Sequence, residues 1–294
     1  MSEATAERSE PSTGSVPAPA PAPGAAVRAV PRSGWHVATV ASTRRETPNA
    51  SRLELDVDGW PGNAAGQHLD VRLTAPDGYT ATRSYSIASS GTGARVTLAV
   101  DKLPDGEVSP YLVDEVRAGD MLEVHGPLGA FFVWAPDAAW APDAAAAGDS
   151  RGGATGGGAS GSRPVQLIAG GSGVVPLFAM AAAHGAAADP TPFRMLYSVR
   201  SPDDVYFADE LRRLAEASAP LRLDLVYTRR APAGWPSPPA RITRGALEAA
   251  VIPAAERPRV FVCGSTGFVE RVADWLVELG HEARSIRTER YGGT

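Results

Sequence analysis

The run Ala169-Gly170-Gly171-Ser172-Gly173-Val174-Val175-Pro176 follows an apolar stretch, Val165 to Ala169, and leads into a helical pattern. At such a strand-to-helix turn, backbone amides and the positive end of the helix dipole meet the phosphates of a nucleotide, and glycines let the chain come close. The spacing is not G-x-G-x-x-G, because Pro176 stands at the third glycine position. A Gly-rich turn of this kind also serves plain tight packing. A second turn of small residues, Val262-Cys263-Gly264-Ser265-Thr266-Gly267-Phe268, closes the last strand of the same half. Ligands of open α/β sheets sit beyond the carboxyl ends of the strands, so both turns are expected to face one crevice. Cys263 by itself reads first as a small buried hydrophobe.

These turns must be held by regular elements. From 164 onward, apolar strands at Val165–Ala169, Phe193–Val199, Leu221–Tyr227 and Arg259–Cys263 alternate with helical patterns at Val174–His184, Val205–Ala217, Arg244–Val251 and Phe268–Leu279. That alternation predicts a Rossmann-like parallel sheet covered on both faces. Before it, short β-type segments recur at Trp35–Ser42, Ser51–Val57, His68–Leu73, Thr80–Ile87, Arg95–Val100 and Met121–His125, with a helical pattern at Ser109–Val116. Many short strands at this spacing predict a small antiparallel six-stranded barrel capped by one helix. The fold class expected is therefore a two-domain α+β chain, with a barrel over 34–135 and an α/β domain over 164–294. The Ala/Pro-rich start, 1–33, reads as a disordered tail, and the Gly/Ala-rich 136–163 as a linker.

Composition narrows the function. Of 294 residues, 44% are hydrophobic and 21% charged, and the net charge of -5 offers no general attraction to nucleic acid. No apolar run reaches the roughly 18 to 20 residues of a membrane span, and the start lacks a signal-peptide pattern, so a cytoplasmic protein is expected. Cys263 is the only cysteine, which excludes a disulfide or a multi-thiolate cluster within this sequence. Lys102 is the only lysine, so positive charge is carried by arginine, which suits planar recognition of phosphate.

Against this background Arg83-Ser84-Tyr85-Ser86-Ile87-Ala88-Ser89 resembles the R-x-Y-S-x-x-S flavin motif of ferredoxin–NADP reductase-like enzymes. Gly106-Glu107-Val108-Ser109 resembles the G-x-x-S turn of that family, and Gly126-Pro127-Leu128-Gly129-Ala130-Phe131 its G-P-x-G-x-F segment. The two glycine turns are similar to its nicotinamide-side motifs, in the same order, and Glu289-Arg290-Tyr291 to its terminal Glu-x-Tyr. This sequence departs by continuing through Gly292, Gly293 and Thr294. The resemblance implies flavin contacts from Arg83, Ser84, Tyr85, Ser86, Val100, Lys102, Gly106, Val108 and Ser109. It implies nicotinamide-side contacts from Gly170, Gly171, Ser172, Gly173, Pro176, Arg200, Thr228, Arg229, Arg241, Cys263 and Gly264, and catalytic positions at Ser86, Cys263, Glu289 and Tyr291. An arginine fork pairs with phosphate, and an aromatic face replaces water on a planar ring.

The activity implied is hydride transfer from NADPH to bound FAD, then single-electron transfer to an external ferredoxin or flavodoxin, serving an oxygenase or P450 system. FMN and NADH stand as alternatives for the two cofactors. No metal is expected, nor a nucleic-acid or membrane partner, and the chain is expected to be a monomer. The second reading is an NAD(P)H:flavin reductase using diffusing flavin. A third, of another class, is a non-catalytic flavin- or nucleotide-binding subunit. Arg72, Arg83, Arg95, Lys102 and Arg117 are candidates for a basic docking face toward an acidic carrier.

Overall fold

The computed structural model describes residues 34–135, 163–217 and 221–291; the expected tail, and the linker up to 162, lie outside them. Six antiparallel strands come first: β1 (Gly34–Thr47), β2 (Ala50–Val57), β3 (His68–Thr74), β4 (Thr80–Ser86), β5 (Arg95–Asp101) and β6 (Met121–Leu128). They hydrogen-bond in the order β4-β3-β6-β1-β2-β5. A lone bridge from Ile87 to Leu98 brings the two edge strands together and turns the sheet into a barrel. Alternate inward residues, among them Leu53, Leu55, Leu69, Ile87, Leu98 and Val124, are fully buried in its centre. The expected capping helix is instead a single wide turn, Tyr111–Glu115, which buries Leu112 and Val113 and then breaks to extended backbone at Val116.

Five parallel strands follow, β7 (Val165–Gly170), β8 (Phe193–Val199), β9 (Leu221–Tyr227), β10 (Arg259–Ser265) and β11 (Ile286–Tyr291), in the order β11-β10-β7-β8-β9. Four helices cover this sheet: α1 (Val174–Ala187), α2 (Ala208–Glu216), α3 (Arg244–Ala250) and α4 (Thr266–Glu278). Strands buried on both faces carry continuous apolar runs, and every residue of β7 is buried. The chain leaves β7 toward β8 on one side and later returns to place β10 on the other. The switch in direction therefore falls between β7 and β10, where the two glycine turns emerge.

Besides the capping turn, three features differ from the expectation. β11 was not foreseen; it pairs with β10 from Val260↔Ile286 to Ser265↔Tyr291, so the Glu-x-Tyr segment is a strand. β1 runs on past Ser42 through Arg44, Arg45 and Glu46, because β2 pairs with it and those charges find partners in Glu210, Asp114 and Arg52. α2 starts at Ala208 rather than Val205, since Phe207 sits in the left-handed region at φ 53°.

The barrel and the parallel sheet share one apolar core. Ala50, Ala88, Ala99, Phe132 and Trp134 of the first half pack in the same cluster as β7, β8 and α1. A charged group reinforces the junction. Arg52 on β2 donates to both oxygens of Glu46 at 2.7 and 2.9 Å and to Glu210 on α2 at 2.7 Å, and lies 4.4 Å above the Phe207 ring. The Phe207 amide donates to Glu46 at 2.5 Å. Burial works against the Arg52 charge, yet the two carboxylates more than offset it and hold its pKa above the ordinary value.

Candidate active site

β4 is an edge strand, paired with β3 on one side from His68↔Ser86 to Thr74↔Thr80. Among the described residues its other edge meets no strand between Thr80 and Ser86, so side chains of both faces reach one opening. Arg83, Ser84, Tyr85 and Ser86 all line a cavity of about 510 Å³. Gly106, Val108 and Ser109 close its barrel end, and Ser172, Gly173, Cys263, Glu289 and Tyr291 form the wall from the parallel sheet. The volume suits a cofactor-sized ligand.

Local packing fixes each wall. The Ser109 hydroxyl accepts the Leu103 amide at 3.0 Å and braces the turn through Gly106, where a methyl would lie 3.1 Å from the Leu103 carbonyl oxygen. Tyr85 leans on the barrel core, and burial pushes its phenol up to about 12, so the ring is neutral. Across the cavity the Tyr291 hydroxyl donates to the Gly170 carbonyl at 2.5 Å. Gly171, at φ +56°, leaves room there, since a methyl would lie 3.0 Å from that hydroxyl.

Cys263 is buried in the shared core as well as lining the cavity, and burial followed by the neighbouring Glu289 raises its thiol well above the ordinary value. It is therefore a neutral thiol rather than a nucleophile. Glu289 lies opposite Cys263 in the sheet register, and burial raises its carboxyl to about 7. Its Oε2 is buried without a hydrogen-bond partner among the described residues. His68 Nδ1 stands 3.7 Å from Glu289 Oε1, but burial lowers the His68 pKa and raises that of Glu289, so burial disfavours the charged form of both partners and a close approach describes the pair better than a salt bridge.

The Glu289 proton is held more tightly in the folded chain than in the unfolded one, so folding loses stability as pH rises from the ordinary carboxyl value through about 7. Flavin-free Glu289→Gln is expected to match the parent near pH 5 and to exceed it near pH 8 by on the order of 1–3 kcal/mol. Thermal melts of both proteins at the two pH values check this; an equal offset at both would refute it.

Seven residues lining the cavity lie outside the expected set: the apolar Ala99, Leu103 and Val175, and the ionisable His68, Asp101, Glu107 and Arg290. Asp101 ends β5 beside the Gly-rich turn; burial raises its carboxyl, opposed by hydrogen bonds from Tyr206 and Ser172 and by the charge of Arg200. In sequence only its place after an alternating strand marks it. Glu107 lies inside the quoted G-x-x-S turn, at a position where the pattern specifies no residue type.

Other expected contacts are not walls of this cavity. The Val100 side chain lies in the barrel core, and Pro176 is buried in the first turn of α1. Lys102 pairs with Asp114 at 2.5 Å. Gly170 and Gly264 are packing positions, since a methyl on either would come within 2.9 or 2.7 Å of the Phe268 ring. Arg200, Thr228, Arg229 and Arg241 gather at the carboxyl ends of β8 and β9. There the Thr228 amide donates to Val199, the Arg229 amide to Arg200, and the Ala240 amide to Tyr227. The five cations considered for docking are largely satisfied in place: Arg72 pairs with Glu123, Arg83 with Glu107, Arg95 with Asp56 and Lys102 with Asp114, while Arg117 donates to backbone carbonyls. Paired in this way, four of them have their charge matched by a neighbouring carboxylate.

A barrel that offers an arginine, a tyrosine ring and hydroxyls to a cleft, facing the glycine turns of a parallel sheet, defines a two-domain flavin- and nicotinamide-binding architecture. Comparison with known proteins agrees. Residues 38–133 match the oxidoreductase FAD-binding domain family, and residues 167–274 the oxidoreductase NAD-binding domain family. Ferredoxin–NADP reductase B of Sorangium cellulosum is 30% identical over 254 residues, which cover 81% of this chain and 91% of that protein. The chain belongs to the ferredoxin–NADP reductase-type family of FAD- and NAD(P)-binding oxidoreductases. The glycine betaine monooxygenase reductase subunit of Chromohalobacter salexigens is 28% identical over 232 residues, or 78% of this chain and 56% of that one. The FAD/NAD-binding domain of a Vibrio cholerae nitric oxide dioxygenase shares the fold, with a TM-score of 0.71 at 21% identity, covering 89% of this chain and 100% of that one. The chain spans about half the length of the first curated relatives it matches. Among the described residues no helix is long and apolar enough to cross a membrane.

Proposed function

We propose that this chain is an NADPH-dependent reductase that delivers single electrons from bound FAD to an external carrier, either a ferredoxin- or flavodoxin-type protein or an oxygenase component. The observation that carries the reading is the single cavity shared by Arg83, Tyr85 and Ser86 with Ser172, Gly173, Cys263 and Tyr291. Its donor set fits a flavin: a guanidinium for phosphate, hydroxyls for a polar ring edge and a neutral aromatic surface for the ring face. The unpartnered Glu289 oxygen adds a polar group awaiting a ligand. When bound, FAD would accept a hydride from the nicotinamide and release its electrons singly. The chain itself supplies position more than acid–base chemistry. Arg83 and the Gly106–Ser109 turn would hold the phosphate end, Tyr85 would cover one ring face, and Ser86 would donate to the ring edge. Entry of a nicotinamide past the glycine turn requires release of the Tyr291 bond to Gly170. Cys263 and Ser86 border that region, and Glu289, able to hold or release a proton near neutral pH, stands beside it.

The preference for NADPH rests on Arg229 and Arg241, which form no ion pair among the described residues, next to Arg200 at the strand ends. Asp203 is a carboxylate of the kind that grips a ribose hydroxyl in NADH enzymes, but here it is paired with Arg230. The deciding experiment is to denature the purified protein, identify the released chromophore by mass, and compare the two reductants. Stoichiometric FAD is expected. A colourless protein that reduces added flavin would favour the reading in which flavin diffuses, and a flavin-loaded protein without turnover would favour a non-catalytic subunit. Arg229→Ala is expected to raise KM for NADPH about tenfold and leave KM for NADH unchanged; equal changes would remove Arg229 from phosphate recognition.

A further inference from the structure

The guanidinium offered to the flavin phosphate already carries an anion. Arg83 Nη2 donates to Glu107 Oε2 at 2.5 Å, while Nη1 donates to the Thr82 carbonyl at 2.8 Å. The Tyr79 hydroxyl donates to the other Glu107 oxygen at 2.7 Å, so the carboxylate is held from two sides. Its backbone has little freedom, because Gly106 and Ser109 pin the turn on which it sits. Both Arg83 and Glu107 line the cavity.

Resting on the flavoprotein reading above, we propose that Glu107 is a built-in competitor for the flavin phosphate at Arg83, and that it sets how firmly this chain retains its flavin. Glu107 and the Thr82 carbonyl already engage the two terminal nitrogens of Arg83, so a phosphate that takes this two-pronged face must displace the carboxylate, and loading of a phosphorylated flavin there is an exchange of one anion for another. After exchange the displaced carboxylate remains on the turn, close to the incoming negative charge, and like charges brought together oppose binding. Tyr79 strengthens the competitor by orienting it. A flavin without phosphate makes no claim on Arg83 and is indifferent to the pair.

The test is flavin affinity of the full chain, stripped and titrated with FAD, FMN and riboflavin while flavin fluorescence is followed. Glu107→Gln is expected to bind FAD and FMN roughly tenfold more tightly than the parent, and riboflavin alike. Tyr79→Phe is expected to shift affinity in the same direction by less. Circular dichroism melts show whether each variant is folded, and the Tyr79 variant reads the same competition without altering the Glu107 side chain. Unchanged or weaker FAD binding in folded Glu107→Gln overturns the proposal, as does an equal gain for riboflavin. If no protein, parent included, binds any flavin, the flavoprotein reading falls as well; if the parent binds flavin and Glu107→Gln changes nothing, only the competition is refuted.

Discussion

Gly173→Ala is expected to give a chain that accumulates poorly or melts far below the parent, with nicotinamide-driven turnover lost in whatever folds. The added methyl would lie 2.4 Å from the Cys263 carbonyl oxygen, 2.5 Å from its carbon and 2.7 Å from the Gly264 nitrogen. All three atoms are backbone of a central strand, so no side chain can rotate aside. Relief requires moving the turn off β10, which opens the junction where both sheet-side walls of the cavity originate. Overpacking costs about 1–3 kcal/mol where side chains yield. With rigid backbone on the far side, a loss of about 3 kcal/mol or more is expected. Gly267→Ala is the control: nothing lies within 4 Å of the added methyl, and the position is in α4, where alanine is favoured. Thermal melts of the two variants should separate widely; a Gly173→Ala melt as high as that of Gly267→Ala would refute the close approach.

Arg52→Ala is expected to be comparably severe, with a loss of about 3–5 kcal/mol, because it strands the buried Glu46 carboxylate and leaves Glu210 with only the more exposed Arg44 as a cation. Glu46 keeps 4% of its side-chain surface exposed and Arg52 9%. The alanine also removes the cation above the Phe207 ring, while the Phe207 amide alone continues to donate to Glu46. A combined Arg52→Met, Glu46→Leu replacement should recover much of the loss, since an apolar pair of similar volume avoids the buried charge. Denaturant titrations of the single and combined variants measure the coupling. Additive losses would mean that the pair contributes through packing alone.

How far the sequence reveals this arrangement depends on whether the information is local. β7, β8, β9 and β10 were legible because each is an apolar run bounded by turn signals, and Arg83, Tyr85 and Ser86 were legible because one strand carries them in consecutive order. β11 escaped notice since Arg287, Thr288, Glu289 and Arg290 have no apolar alternation; the strand exists because β10 offers it a free edge. His68, Asp101 and Glu107 sit on separate barrel segments and reach the cavity only through strand pairing and turn geometry, which spacing does not encode. The Ser109–Val116 pattern gave the right buried face but not the helix type, because a wide turn presents Leu112 and Val113 to the core as an α-helix would. The docking arginines were visible as charges, whereas the acidic partners that satisfy four of them are brought close by folding.

α1 is buried almost all round, since one side faces the parallel sheet and the other the alanines and aromatic rings of the barrel. Cutting the gene between the halves would bare two sticky surfaces, so fragments made separately should clump unless supplied together. For protein engineers who transplant reductase modules, the practical unit is the pair. Swapping in a relative's nucleotide-binding half will succeed only where Ala50, Ala88, Ala99 and Trp134 meet residues of matching bulk.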